Sequence, residues 1–195
     1  MEKFGIGQPV RRKEDVRLLT GRGTYTDDIN KEGQAHAAFL RSPHAHAEIR
    51  SVDIAPALAA PGVIAVLTGH DADADGLGLL PVMVDVPGKD GTKLFCPPRK
   101  VLTTDRVRFV GDPIAMVIAE TRHQAIEAME LIEVDYDILP SVTDTGSAMA
   151  PDAPVIWPEV GSNLCVLWDG GRGAEADAAF EGAHRTVQVE LVQNR

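Results

Sequence analysis

Two histidines, His44 and His46, stand two residues apart. On a β-strand that spacing puts both imidazoles on one face, where they can hold a divalent metal. A protein metal centre needs a third ligand, and His36, His70 or Asp53 are the residues a fold can bring to the pair. A single pair falls short of a ligand set, so the plainer expectation is a polar strand edge at a domain or subunit contact. Asp71, Asp73, Asp75 and Gly76 copy the first half of a calcium-binding EF-hand loop. Its last position falls on Val82, where a bidentate glutamate is required, and Pro81 blocks the exiting helix. Asp71 is expected instead to cap a helix within a solvated acidic turn.

The glycine-rich stretches Gly21-Arg22-Gly23 and Gly170-Gly171-Arg172-Gly173 complete neither the dinucleotide fingerprint nor a P-loop, and are expected as turns. Cys96 precedes Pro97-Pro98, and a thiol nucleophile needs a base held beside it, for which no Cys–His signature exists. Glu120, Glu127, Glu130 and Glu133 follow one helical region and are expected as its solvated face. From the residues themselves, no catalytic group, cofactor ligand or metal ligand is assigned in this chain.

The elements that must position these side chains are clearest between Arg106 and Pro140. Val107, Phe109, Ile114, Met116, Val117 and Ile118 lie in short apolar runs of strand length, broken by Gly111-Asp112-Pro113. Ala125, Ala128, Met129 and Ile132 then repeat as one helical face, behind a capping-box pair at Thr121 and Gln124. The period returns to two at Val134, Tyr136 and Ile138, and Pro140 stops the strand. Gly111 is expected where two short strands meet at a bend, with Pro113 denying a ladder donor there.

Upstream, one helical turn over Glu14 to Leu19 stops at Gly21, and Thr24-Tyr25 leads into a short strand. Strands are predicted over Ala35 to Arg41, Ala47 to Ile54 and Val63 to Thr68, with a short helix over Ala55 to Ala60. Gly69 to Pro98 reads as a loop, long enough to imply an insertion that contacts something. Leu102 to Val110 resumes the β pattern. Beyond Pro140, a helical turn over Asp144 to Met149 and the prolines at 151, 154 and 158 read as a linker. A strand over Leu164 to Trp168, a helix over Ala174 to Phe180 and an alternating strand over Arg185 to Val192 follow.

Composition bounds the function. In 195 residues, 44% are hydrophobic, 25% charged and only 5% aromatic, which fits a globular core of small and branched side chains. A net charge of −10 argues against a nucleic-acid face, since phosphate neutralisation needs concentrated Lys and Arg. No stretch reaches the roughly 20 apolar residues of a membrane span, and Arg11, Arg12 and Lys13 precede no apolar signal core. The cytoplasm is the expected compartment, with Cys96 and Cys165 as reduced thiols.

Four stretches together carry a resemblance. They are Arg17 to Ile29 (RLLTGRGTYTDDI), Arg41 to Ala47 (RSPHAHA), Pro61 to Thr68 (PGVIAVLT), and Val107 to Ala115 (VRFVGDPIA) with its helix and Val134-Asp135-Tyr136. In order and wording they resemble the N-terminal α/β-hammerhead domain of the molybdenum hydroxylase large subunit, from about Gly5 to Arg195. That family groups xanthine dehydrogenase, aldehyde oxidase and aerobic carbon monoxide dehydrogenase.

The resemblance implies an oxidoreductase whose large subunit binds molybdopterin, often in its cytosine dinucleotide form. Electrons pass to two 2Fe–2S clusters and then to a flavin (FAD), carried by partner subunits or domains. The family's glutamate base and glycine-rich pterin loops lie downstream and have no counterpart before Arg195. The expected fold is α+β, a hammerhead with a mixed sheet and two short helices in the order β-β-α-β-β-β-α-β. The expected organisation is an N-terminal extension over 1–20, the hammerhead over 21–140, a linker over 141–163, and the truncated start of a molybdopterin-binding domain over 164–195. The expected role is structural, packing against the cofactor domains and the iron–sulfur subunit, without catalysis by this chain alone. The alternative is a free-standing hammerhead interaction domain with no catalytic partner.

Overall fold

The computed structural model describes residues 10–82 and 86–191. The start of the N-terminal extension, the middle of the 69–98 stretch and the end of the strand expected over Arg185 to Val192 lie outside the described residues.

Chain order is α1 (Asp15–Leu19), β1 (His36–Arg41), β2 (Ala47–Asp53), α2 (Ala55–Leu58), β3 (Val63–Thr68), α3 (Gly69–Ala74), β4 (Arg106–Val107), β5 (Pro113–Ala119), α4 (Arg122–Met129), β6 (Glu133–Ile138) and α5 (Gly173–Glu181). Between β1 and β6 the expected order appears with one helix added, α3. The expected single mixed sheet is instead two three-stranded sheets, β1-β5-β3 and β4-β2-β6, with every pair antiparallel. The reason lies in β5. Its Ala115, Val117 and Ala119 face one way, while Ile114 faces the other. A strand apolar on both faces separates two sheets and cores more readily than it extends one.

The larger core joins Val66, Ala115 and Val117 of the first sheet to Ala57 of α2, Ala128 of α4 and Ile132. Small residues at Ala125 and Ala128, both essentially inaccessible, let α4 lie close on β1 and β5. The smaller core joins Ile114 to Ala47 and Val107 of the second sheet. Thr121 starts α4 as predicted, its Oγ1 accepting from the Gln124 amide at 3.3 Å. Ile138 departs from the expected alternation and is 66% exposed, whereas Val134 and Tyr136 pack inward.

Other expectations are corrected. The stretch from Gly69 opens with a capped helix, α3, and includes a 3-10 turn over Lys89–Gly91 and an isolated bridge between Leu79 and Lys100. Thr24-Tyr25 leads into a 3-10 turn, Thr26–Asp28, with no strand. Only Arg106–Val107 of the predicted Leu102 to Val110 strand joins a ladder, because Gly111 and Asp112 turn the chain immediately afterwards. Leu164 to Trp168 forms no strand; its carbonyls accept only isolated bonds, from Phe95 to Cys165 at 2.9 Å and from Lys89 to Leu167 at 2.6 Å. Residues 185–191 likewise join no ladder, since none of the strands among the described residues pairs with them.

Candidate functional site

The two histidines do not share a strand. Both lie in the connection from β1 to β2, and their rings have different surroundings. His46 is buried, with Nδ1 2.8 Å from the Pro140 carbonyl, and that carbonyl assigns the proton to Nδ1. His44 packs edge-on against Tyr136, with ring centroids 4.8 Å apart. Burial pushes the Tyr136 phenol above its ordinary range, with the Ser42 hydroxyl pulling the other way. Two of the expected third ligands lie elsewhere: Asp53 accepts from the Ala55 amide at 2.9 Å in the turn that leads into α2, and His70 is exposed on α3. Among the described residues no three His, Cys, Asp or Glu side chains gather as a metal set.

The acidic triplet is divided in the same way. Asp71 sits at the third position of α3 and accepts from the Thr68 amide and hydroxyl, both at 2.7 Å, so Thr68 is the cap residue and Asp71 its reciprocal partner. The Thr68 hydroxyl, then its amide, hold the Asp71 carboxyl below its ordinary range. Asp73 instead pairs with Lys100 at 2.7 Å. Gly21 and Gly171 have positive φ, at 69° and 102°, as turns require. At Gly170 a Cβ would meet the Trp168 ring at 2.6 Å, while Gly171 and Gly173 face open space. Cys96 and Cys165 are exposed free thiols; Glu120, Glu127, Glu130 and Glu133 are all exposed, but only Glu127 lies within α4, Glu120 preceding it, Glu130 ending it and Glu133 opening β6.

The densest polar constellation escaped sequence reasoning. It surrounds Gly111-Asp112-Pro113 and includes buried Ser42, Thr103 and Asp112. Asp112 Oδ1 accepts from the Thr103 hydroxyl at 3.0 Å, and Oδ2 from the Arg108 amide at 3.0 Å. Its carbonyl accepts from the Ser42 amide at 2.9 Å, while the Ser42 carbonyl accepts from Gly111 at 2.8 Å. Arg41 adds a bond to the Gly111 carbonyl at 2.9 Å. Gly111 has φ 96°, confirming the expected bend. The signal was an Asp between a turn glycine and a proline, a position where a short carboxylate binds nearby amides. Every acceptor of this carboxylate serves the fold, so the corner is a fastening between segments around 42, 103 and 108.

Beside it a groove of about 530 Å³ opens between residues 97–113 and 156–159. Arg108 lines it with its guanidinium 3.9 Å from the Trp157 ring centroid. Burial lowers the Arg108 proton affinity, with Asp105 acting in the opposite sense.

Comparison with known proteins fits this architecture. The family model described as aldehyde oxidase and xanthine dehydrogenase, a/b hammerhead domain, matches residues 20–140. The chain is 39% identical over 157 residues to the carbon monoxide dehydrogenase large chain of Afipia carboxidovorans, covering 80% of this chain and 18% of that one. It is 37% identical over 184 residues to the nicotine 6-hydroxylase large subunit of Paenarthrobacter nicotinovorans, covering 94% and 22%. The crystal structure of a Cu,Mo-CO dehydrogenase superposes with a TM-score of 0.71 at 34% identity, covering 93% of this chain and 23% of that one. The chain therefore spans about a fifth of the length of these relatives. With β1 to β6 inside the matched span, this chain belongs to the aldehyde oxidase and xanthine dehydrogenase family and carries its a/b hammerhead domain.

Proposed function

We propose that this chain is the architectural N-terminal part of a molybdopterin-dependent oxidoreductase large subunit, which packs against cofactor domains and does not catalyse alone. The observation that carries this is the state of the chain after the hammerhead. Helix α5 buries no residue, and Phe180, Val187, Val189 and Leu191 are 67, 78, 69 and 86% exposed. Apolar side chains at regular spacing, resting on nothing among the described residues, are the half of an interface that another polypeptide completes. Leu77, Leu79 and Val82, each about half exposed or more, make the 69–98 segment a second contact candidate.

The residues present do not fit a pterin cradle. At the Gly170–Gly173 turn the Trp168 ring crowds Gly170, and the cation nearby, Lys89, is already paired with Asp169 at 3.5 Å. No step of the redox chemistry is therefore assigned to this chain. Residues 164–195 are proposed as the beginning of the pterin-binding domain, with molybdopterin held by downstream sequence and the 2Fe–2S and flavin groups by partner subunits.

Co-expression with the downstream part of a homologous large chain tests the reading. The expected result is a co-purifying complex that contains molybdenum, while the 195-residue chain alone contains none and turns over neither aldehyde, purine nor carbon monoxide. Tightly bound molybdenum or turnover in the isolated chain overturns it.

A further inference from the structure

The groove beside the Asp112 corner carries an inference that does not rest on the architectural reading. Its cations are not equivalent. Of the four, Arg99 is exposed, Lys100 is tied to Asp73 at 2.7 Å and Arg106 to Glu48 at 2.5 Å. Arg108 forms no ion pair among the described residues, although its guanidinium is permanently charged. One face of that group lies on Trp157, Nη1 donates to the Arg106 carbonyl at 3.1 Å, and Nε is sealed without an acceptor. The neighbouring Asp112 carboxylate is already taken by Thr103 and the Arg108 amide. Asp105, which accepts from the Thr104 hydroxyl at 3.5 Å, and Glu159 are exposed and form no ion pair among the described residues. Asp105, Glu159 and Asp112 favour the Arg108 charge without forming an ion pair with it, and a carboxylate is the group whose two oxygens match a guanidinium edge.

The rest of the groove selects the body of the ligand. Leu80, Pro97, Pro98, Phe109, Ile156 and Trp157 supply apolar lining. Its volume of about 530 Å³ lies within the range of small-molecule sites. We propose that this groove binds a small carboxylate with a flat apolar body, its carboxylate on the free edge of Arg108 and its ring among the apolar walls beside Trp157.

Titration calorimetry on the full chain with 1-naphthoate and its neutral isostere 1-naphthamide tests this. The carboxylate is expected to bind about tenfold more tightly than the amide, the size of one charge-assisted hydrogen-bonding pair. Arg108→Met is expected to abolish that advantage and leave amide binding unchanged; Arg108→Lys, which keeps charge without the planar fork, is expected to recover only part of it. The indole N–H resonance of Trp157, identified by its loss in Trp157→Phe, should shift with naphthoate while that of Trp168 does not. Equal affinity of the two probes, no binding of either at millimolar concentration, or a shift confined to Trp168 overturns the proposal. The comparison of probes on the unaltered chain decides the matter even where an Arg108 variant fails to fold.

Discussion

Asp112 shows how one side chain can hold three segments without doing chemistry. Its two oxygens accept one bond each from Thr103 and Arg108, and its carbonyl takes the Ser42 amide. Asp112→Ala removes both acceptors and leaves the Arg108 amide and the Thr103 hydroxyl without their partner. The expected loss is about 1–3 kcal/mol in urea denaturation, the cost of a buried donor left unsatisfied; an unchanged midpoint would remove Asp112 from the fastening. Gly111 is required for a different reason. An added Cβ meets nothing within 4 Å, so the penalty of Gly111→Val comes from the backbone, at φ 96°, and not from a clash. That substitution is expected to cost about 1–3 kcal/mol, visible as a lowered melting temperature.

At the scale of elements, α3 is the instructive case. It has six residues, opens with glycine and buries only Gly69 and Ala72, so no apolar stripe announces it. What starts it is the reciprocal pairing of Thr68 with Asp71. Because the Asp71 carboxyl is depressed in the fold, its contribution is present above the unfolded carboxylate range, about pH 4, and is lost as pH falls through the folded value. Thr68→Ala removes the larger of the two causes. A carboxylate NMR titration should then show Asp71 moving up toward the ordinary range, and the acid-side stability difference between the two proteins should shrink below about pH 4. No movement would show that the amide alone depresses it. Helix α4 needed no such rescue, since Thr121, Ala125 and Ala128 supply cap and apolar face together.

At the scale of the whole molecule, the two sheets and α4 form a cooperative unit through β5, whose faces serve both cores. Helix α5 lies outside both cores and buries no residue. Brief trypsin digestion is expected to cut at Arg172 and Arg185 before any site within residues 36–138, with mass spectrometry reading the order of fragments. Early cleavage at Arg106 or Arg122 would instead make the hammerhead the weaker part. Adding the downstream part of a homologous large chain should protect Arg172 and Arg185, because the proposed interface covers them.

The sequence by itself determined what depends on near neighbours along the chain. The apolar alternation of β5, the cap and small-residue face of α4, and the glycine bend at 111 follow from local sterics and hydrogen bonding. Family membership was legible too, because four local stretches stand in one order over most of the chain. Tertiary structure alone decided which strands pair, since β1 and β5 meet across more than seventy residues and no local period encodes a partner. It also separated His44 from His46, sent Asp73 to Lys100, and laid Arg108 on Trp157. The alternating residues 185–191 show the same limit from the other side. An alternating pattern prepares a segment for a sheet, but a strand exists only where another edge supplies its hydrogen bonds.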